Sequence, residues 1–264
     1  MDPMPSLDWL RTMPLVRDYR ARKYRRRFAR EGTHNLFYGA YSSFDEARAD
    51  APPDRVLGYD HPQAAEMYED HLDHTWPEHY PVLFRLAICW TECRRVLDFG
   101  GHRGALYYAA HRSLGEGPEW WIHDVAAVVE AGRATAEARG MSDLRFAADL
   151  ADVPQVDLAI AAGSLQYVED GAQEWIRRVG NPRGVILNAT PFHESRSVVT
   201  LNNMGTAYCP YMIRRQDEFF RELQNCGYHT IETWHHPGKR CEIPFHVPGG
   251  AITYRGGYFE REER

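Results

Sequence analysis

The sequence predicts an α/β fold on a seven-stranded, mainly parallel sheet, with an antiparallel C-terminal hairpin and an N-terminal helical extension. Three observations predict it. From Arg94 onward, short apolar runs alternate with amphipathic segments, the pattern of strands and crossover helices. The first run, Val96-Leu97-Asp98-Phe99, ends in an acid and a glycine-rich turn, Gly100-Gly101-His102-Arg103-Gly104, before a helix-forming segment. A strand that hands over to a helix in this way builds the ligand site of doubly wound sheets. The last two strand-like runs are joined by a Pro/Gly loop instead of a helix, which antiparallel pairing permits.

The elements follow in order. Residues 1–31 read as a basic helix with a Pro-containing lead, and Leu15, Val16, Tyr19 and Phe28 stand at spacings that suit packing on the body. Residues 35–41 form a compact aromatic segment around Gly39. Ser43-Phe44-Asp45-Glu46 has the spacing of a capping box, which starts a short helix ended by Pro52-Pro53. Two further helices are expected over His61–Asp73 and Glu78–Glu92. The first strand, Val96–Phe99, feeds a helix over Gly104–Ser113. Glu119–His123 is the second strand and closes on Asp124. Val125–Arg139 is a helix that Gly140 ends. Leu144–Ala147 is the third strand. Val156–Ala161 is the fourth, apolar enough for burial on both faces. Asp170–Val179 is helical, Val185–Asn188 is the fifth strand, and Arg215–Cys226 is a helix ended by Gly227. Tyr228–Trp234 and Ile252–Phe259 complete the set as the hairpin.

Composition narrows the function classes. The chain has 264 residues, 44% of them hydrophobic and 26% charged, an ordinary globular balance. No run of eighteen apolar residues occurs, so no membrane-spanning helix is expected. The N-terminus lacks the basic-then-apolar order of a secretory signal. Five cysteines with no C-x-x-C pair point to reduced thiols and a cytoplasmic location. Residues 1–30 carry nine Lys/Arg against three Asp, although the whole chain is at -6. That arm is either a solvated helix or a contact for an anionic partner.

The acid before the glycine turn discriminates between ligands. A dinucleotide fingerprint needs no carboxylate there, because its ligand presents a pyrophosphate. A carboxylate at Asp98 suits a ligand with an amino group or positive charge. S-adenosylmethionine has both, an α-ammonium and a sulfonium. Residues 94–260 resemble the class I S-adenosylmethionine-dependent methyltransferases, through Val96-Leu97-Asp98-Phe99-Gly100-Gly101 with Gly104, Trp121-Ile122-His123-Asp124, Asp149-Leu150, Asp157–Ala161 and Ser164–Val168. From about residue 35 the chain also looks like a bacterial methyltransferase subgroup of surface-polysaccharide and secondary-metabolite pathways. It shares that subgroup's Gly39–Ala47 segment, Leu165-Gln166-Tyr167, and Asn188-Ala189-Thr190-Pro191.

The resemblance implies a Rossmann-like methyltransferase sheet in residues 93–264 and a lid or oligomerisation extension in residues 1–92. It implies S-adenosylmethionine as cofactor and a small-molecule acceptor as partner, with a homodimer compatible with the extension. Asp98, Gly100, Gly101 and Gly104 would cradle the methionyl part. Asp124 would hold the ribose hydroxyls, or else cap the helix from Val125. Asp149 and Leu150 would face the adenine, unless Asp149 only forms a turn. Ala162 and Gly163 would line the methyl-donor side. The third glycine of many relatives is His102 here.

Methyl transfer needs an aligned nucleophile and, for a hydroxyl, a proton acceptor. His193, read as lying in the loop after the fifth strand, and Tyr167 are the candidates, beside the alternative of no base at all. Gln166, Asn188, Thr190, Tyr38 and Tyr208 are candidate acceptor contacts. His71 and His74 share an i, i+3 spacing, but no third ligand follows, so no metal is expected. Two rival classes are a nucleic-acid methyltransferase using the basic arm and a non-catalytic cofactor-binding partner protein. Net acidity and the lack of an Asn/Asp-Pro-Pro-aromatic box after the fourth strand disfavour nucleic acid.

Overall fold

The computed structural model describes residues 14–262. Seven strands form the core of the sheet. They are β3 (Arg95–Phe99), β4 (Glu119–His123), β5 (Leu144–Ala147), β6 (Leu158–Ala162), β7 (Gly184–His193), β10 (Tyr228–His235) and β11 (Ile252–Arg261). Their spatial order is β5-β4-β3-β6-β7-β11-β10. All neighbours run parallel except β11, which is antiparallel to both β7 and β10. The hairpin therefore lies at the sheet edge, with β10 outermost.

The remaining strands enlarge the sheet to eleven. β8 (Val198–Asn203) and β9 (Ala207–Arg215) arise from the insertion after β7. β1 (Leu36–Tyr41) pairs antiparallel with β8, and β2 (Val56–Leu57) pairs parallel with β9. The aromatic segment at residues 35–41 is thus largely a strand, and the N-terminal extension is helical only in part. Its side chains alternate, with Phe37 in the core and Tyr38 half-buried.

Period-two alternation explains the layers. On β3, Val96 faces one side and Leu97 the other; on β6, Ile160 opposes Ala159 and Ala161. The first side is covered by α4 (Tyr80–Cys89), α5 (Ala105–Leu114) and α6 (Ala126–Ala138). The second is covered by α7 (Ala172–Arg178) and α8 (Gln216–Asn225). A parallel sheet buried on both faces needs apolar side chains in both directions, as these strands supply. α6 buries Val128, Val129, Gly132 and Ala136, and Gly140 follows it at φ +68.

Several N-terminal expectations change in detail. α1 (Pro14–Phe28) buries only Phe28, while Leu15 and Tyr19 are 83% and 67% exposed. The basic arm is therefore mainly a solvated helix, and its first 13 residues lie outside the described ones. The capping half of the box forms as expected: Ser43 Oγ accepts from Glu46 N and starts α2 (Phe44–Ala49). Glu46 in turn accepts from Ser42 N and Ser42 Oγ. The long helix expected at His61–Asp73 is instead α3 (Pro62–Glu66) and a 3-10 turn at Glu69–Leu72. Met67 is extended and Tyr68 is left-handed at φ +61, which breaks the ladder between them. The next helix begins later than expected, because a 3-10 turn at Pro77–His79 precedes α4.

Candidate functional site

The carboxyl ends of β3 and β6 diverge where the crossovers change direction, and a cavity of about 710 Å³ opens there. Open α/β sheets bind ligands at such switch points. Its floor is the turn after β3. Gly100 is at φ +71 and donates its N–H to His123 O at 2.7 Å. A Cβ on Gly100 would overlap Ser164 Cβ, and a Cβ on Gly101 would stand 2.5 Å from Asp98 Cγ. Only glycine lets this backbone approach so closely. Gly104, at φ +97, starts α5 against Ile122 and Leu144.

Asp98 is 1% exposed, and its Oδ2 has no hydrogen-bond partner. It lines the cavity floor. Burial, then the charge of Asp124, raises its pKa to about 7 against an opposing influence of the nearby Trp120 indole, which does not reach hydrogen-bond geometry with it. A buried carboxylate oxygen without a donor is costly, so the site is complementary to a donor or cation from outside. Asp124 follows β4. Its Oδ2 accepts from His102 N at 2.9 Å and its Oδ1 from Val125 N at 2.8 Å. Burial raises its pKa to about 6 against those two hydrogen bonds. It does not cap α6, whose N-cap is Val125 without a side-chain bond.

The other cofactor candidates divide. Val125, Ala162 and Gly163 line the cavity with Asp98, Gly100, Gly101 and Asp124. Gly104 stands behind the floor. Asp149 and Leu150 lie outside the lining, next to Ala148, which belongs to it. Asp149 Oδ1 accepts from Ala151 N at 2.9 Å in a 3-10 turn.

The acceptor and base candidates separate more sharply. Tyr167 and Asn188 line the cavity; His193, Gln166, Thr190, Tyr38 and Tyr208 do not. Residues 190–193 were expected to form a loop, but β7 continues through them because β11 and β9 pair with them. His193 is therefore a buried strand residue whose Nδ1 accepts from Ser195 N at 3.1 Å. Gln166 Nε2 donates to Gly163 O at 2.6 Å and braces the turn. Thr190 is fully buried within β7. Tyr208 stacks on Phe28 at 5.3 Å and Tyr38 lies 5.4 Å from the same ring, so both belong to a packing cluster. Tyr167 O–H donates toward Asn202 Oδ1 at 3.1 Å, and burial raises its pKa well above the usual value. It enters the cavity as a neutral phenol.

The roof comes from residues the sequence did not single out for the site: Tyr59, Tyr68, His71, Glu78 and His79, joined by Lys239 from the hairpin loop. Two contacts hold the roof down. His102 Nε2 and Ala64 O are 2.9 Å apart, and Asn188 Nδ2 donates to Glu78 O at 2.9 Å. Asn188 Oδ1 also accepts from Trp234 Nε1 at 2.8 Å and bonds His236 Nε2 at 2.7 Å. The density of aromatic and titratable side chains between residues 59 and 79 was the available signal. The i, i+3 spacing of His71 and His74 within it suggests a metal pair, and no metal-ligating cluster occurs among the described residues.

This sheet order, with its reversed penultimate strand and a glycine cradle at the switch point, is the Rossmann-like fold of the class I methyltransferases. Two solved structures illustrate the likeness. One is the CcbJ methyltransferase from Streptomyces caelestis, 12% identical, with a TM-score of 0.50, covering 78% of this chain and 98% of its own. The other is the geranyl diphosphate C-methyltransferase from Streptomyces coelicolor A3(2), 14% identical, with a TM-score of 0.50, covering 92% and 98%. No family model and no curated protein matches the sequence. Among the described residues, no helix is long and apolar enough to cross a membrane.

Proposed function

We propose that the protein is an S-adenosylmethionine-dependent methyltransferase acting on a small-molecule acceptor. The observation that carries the reading is Asp98: a buried carboxylate with one oxygen unpartnered, at the floor of a turn that admits no Cβ. An α-ammonium satisfies that oxygen, whereas a pyrophosphate would be repelled by it.

Asp98 would accept from the ammonium. Asp124 would receive the ribose hydroxyls on its remaining lone pairs, since a carboxylate has about four acceptor sites and the backbone uses two. The adenine end would lie toward Ala148, with Asp149 and Leu150 at its edge. Bound there, S-adenosylmethionine supplies a methyl carbon already activated by the sulfonium charge. The chain's remaining task is to align the acceptor and exclude water. Tyr59 and Tyr68 would close the roof. Glu78, Asn188 and Lys239 present polar groups on the far side, which suits a hydroxylated or otherwise polar acceptor. In this reading residues 1–92 supply the lid, and residues 93–264 hold the cofactor.

Calorimetry with S-adenosylhomocysteine and, separately, NAD tests the proposal. Binding of the first without the second is expected. Binding of NAD, or of neither, overturns it.

A further inference from the structure

We propose that His79 is the proton acceptor of the reaction, taking the proton of a protic nucleophile, a hydroxyl or an amine. The inference rests on the methyltransferase reading above.

His79 lines the cavity, is 9% exposed, and forms no hydrogen bond through either ring nitrogen to any described residue. Of the other histidines of the cavity, two are hydrogen-bonded through one ring nitrogen and one is packed between aromatic rings. His102 bonds Ala64 O, His123 bonds Ala147 O, and His71 is held between Tyr68 at 5.0 Å and Trp76 at 4.3 Å. Its buried Nδ1 is an unmet hydrogen-bonding demand, in a ring that borders the cavity.

The position is fixed as well. His79 N donates to Trp76 O at 2.9 Å within the 3-10 turn. The adjoining Glu78 carbonyl is held by Asn188 on β7, directly across the register from Ala162 on β6. The turn is thereby anchored to the tips of the two strands beside the methyl-donor wall. Burial chiefly, with Arg112, Lys239 and His71 against Glu78, lowers its pKa to about 4. The ring is neutral at physiological pH, the form that takes a proton.

The step balances as follows. A lone pair on the acceptor oxygen or nitrogen forms the new bond to the methyl carbon of S-adenosylmethionine. The carbon–sulfur bond breaks, and its electron pair leaves a neutral thioether. The proton of the nucleophile passes to His79 and then to solvent.

Histidine NMR with two probes tests this: S-adenosylhomocysteine, and sinefungin, which carries an amine where the sulfonium methyl stands. The His79 ring signal is assigned by its loss in His79→Gln, or by through-bond correlation in the native protein should that variant not fold. Both probes should bind, and sinefungin should shift the His79 signal beyond the shift given by S-adenosylhomocysteine. Should both bind with the His79 signal equal in the two complexes, His79 does not face the transfer site and the inference falls alone. Should neither bind, the methyltransferase reading falls and takes the inference with it.

Discussion

His102 Nε2 lies 2.9 Å from the backbone carbonyl of Ala64, and this contact ties the glycine turn to the N-terminal extension. Tyr59 and Tyr68 pack edge-on to the same imidazole at 6.1 and 5.6 Å. His102, a residue of the glycine turn, is thus one of the two that hold the roof. His102 is at φ +54, so His102→Gly relieves left-handed backbone strain while removing the bond. The two effects, each about 1 kcal/mol, oppose one another. Global stability should change by less than about 1 kcal/mol, while amides of residues 59–72 exchange faster. Hydrogen-exchange mass spectrometry reads this; unchanged exchange there would refute the latch.

Asp98 should lose a proton when the cofactor binds. At pH 7 the empty site holds it part-protonated, and an ammonium partner favours the carboxylate. The calorimetric enthalpy of S-adenosylmethionine binding should therefore vary with the ionisation enthalpy of the buffer. Asp98→Asn should abolish that dependence and weaken binding at least tenfold, about 1.4 kcal/mol or more.

Stability against pH separates the two buried groups by sign. The folded pKa of Asp98 is raised, so its contribution is present below pH 4 and is lost as pH rises through about 7. The folded pKa of His79 is depressed, so its contribution is present above about 6.5 and is lost as pH falls through about 4. Relative to the parent protein, the melting temperature of Asp98→Asn should improve as pH rises from 5 to 8, and that of His79→Gln should improve as pH falls from 8 to 5. Ligand-free melting curves at both pH values check the signs.

The glycine turn predicts a contrast between two alanine substitutions. Gly100→Ala meets both a positive φ and the Ser164 side chain, whereas Gly140→Ala meets a positive φ in open space. The second should destabilise by about 1 kcal/mol. The first should add about 1–3 kcal/mol of overpacking and lose S-adenosylhomocysteine binding. Denaturant midpoints and calorimetry on the pair distinguish a cradle from an ordinary turn.

Asp124→Ala removes the acceptor for His102 N and Val125 N as well as the proposed ribose contact. S-adenosylhomocysteine affinity should fall by about 1.5–3 kcal/mol, the range for hydrogen bonds to a charged group. An unchanged dissociation constant would remove Asp124 from the site.

Much of the core sheet was legible because its signals are local. Val96 to Gly104 carries its strand, acid and turn within nine consecutive positions, and the alternation of Val96 with Leu97 requires only a period of two. The break at Tyr68 was not legible, because its backbone departs from the helix where its ring packs on His71 and His102. Nor was the run of β7 through His193. Pro191 reads as a stop in a sequence, but here its missing N–H is accommodated opposite Tyr254 on β11.

By itself, then, the sequence determined the doubly wound sheet, the glycine cradle and the acid beneath it, since each depends on neighbours a few residues apart. The tertiary structure decided which side chains share the cavity. It removed His193 and Tyr208 into strand interiors and tied Glu78, beside His79, to Asn188, 110 positions away. That convergence depends on long-range packing of the extension onto the strand tips, and no local periodicity encodes it.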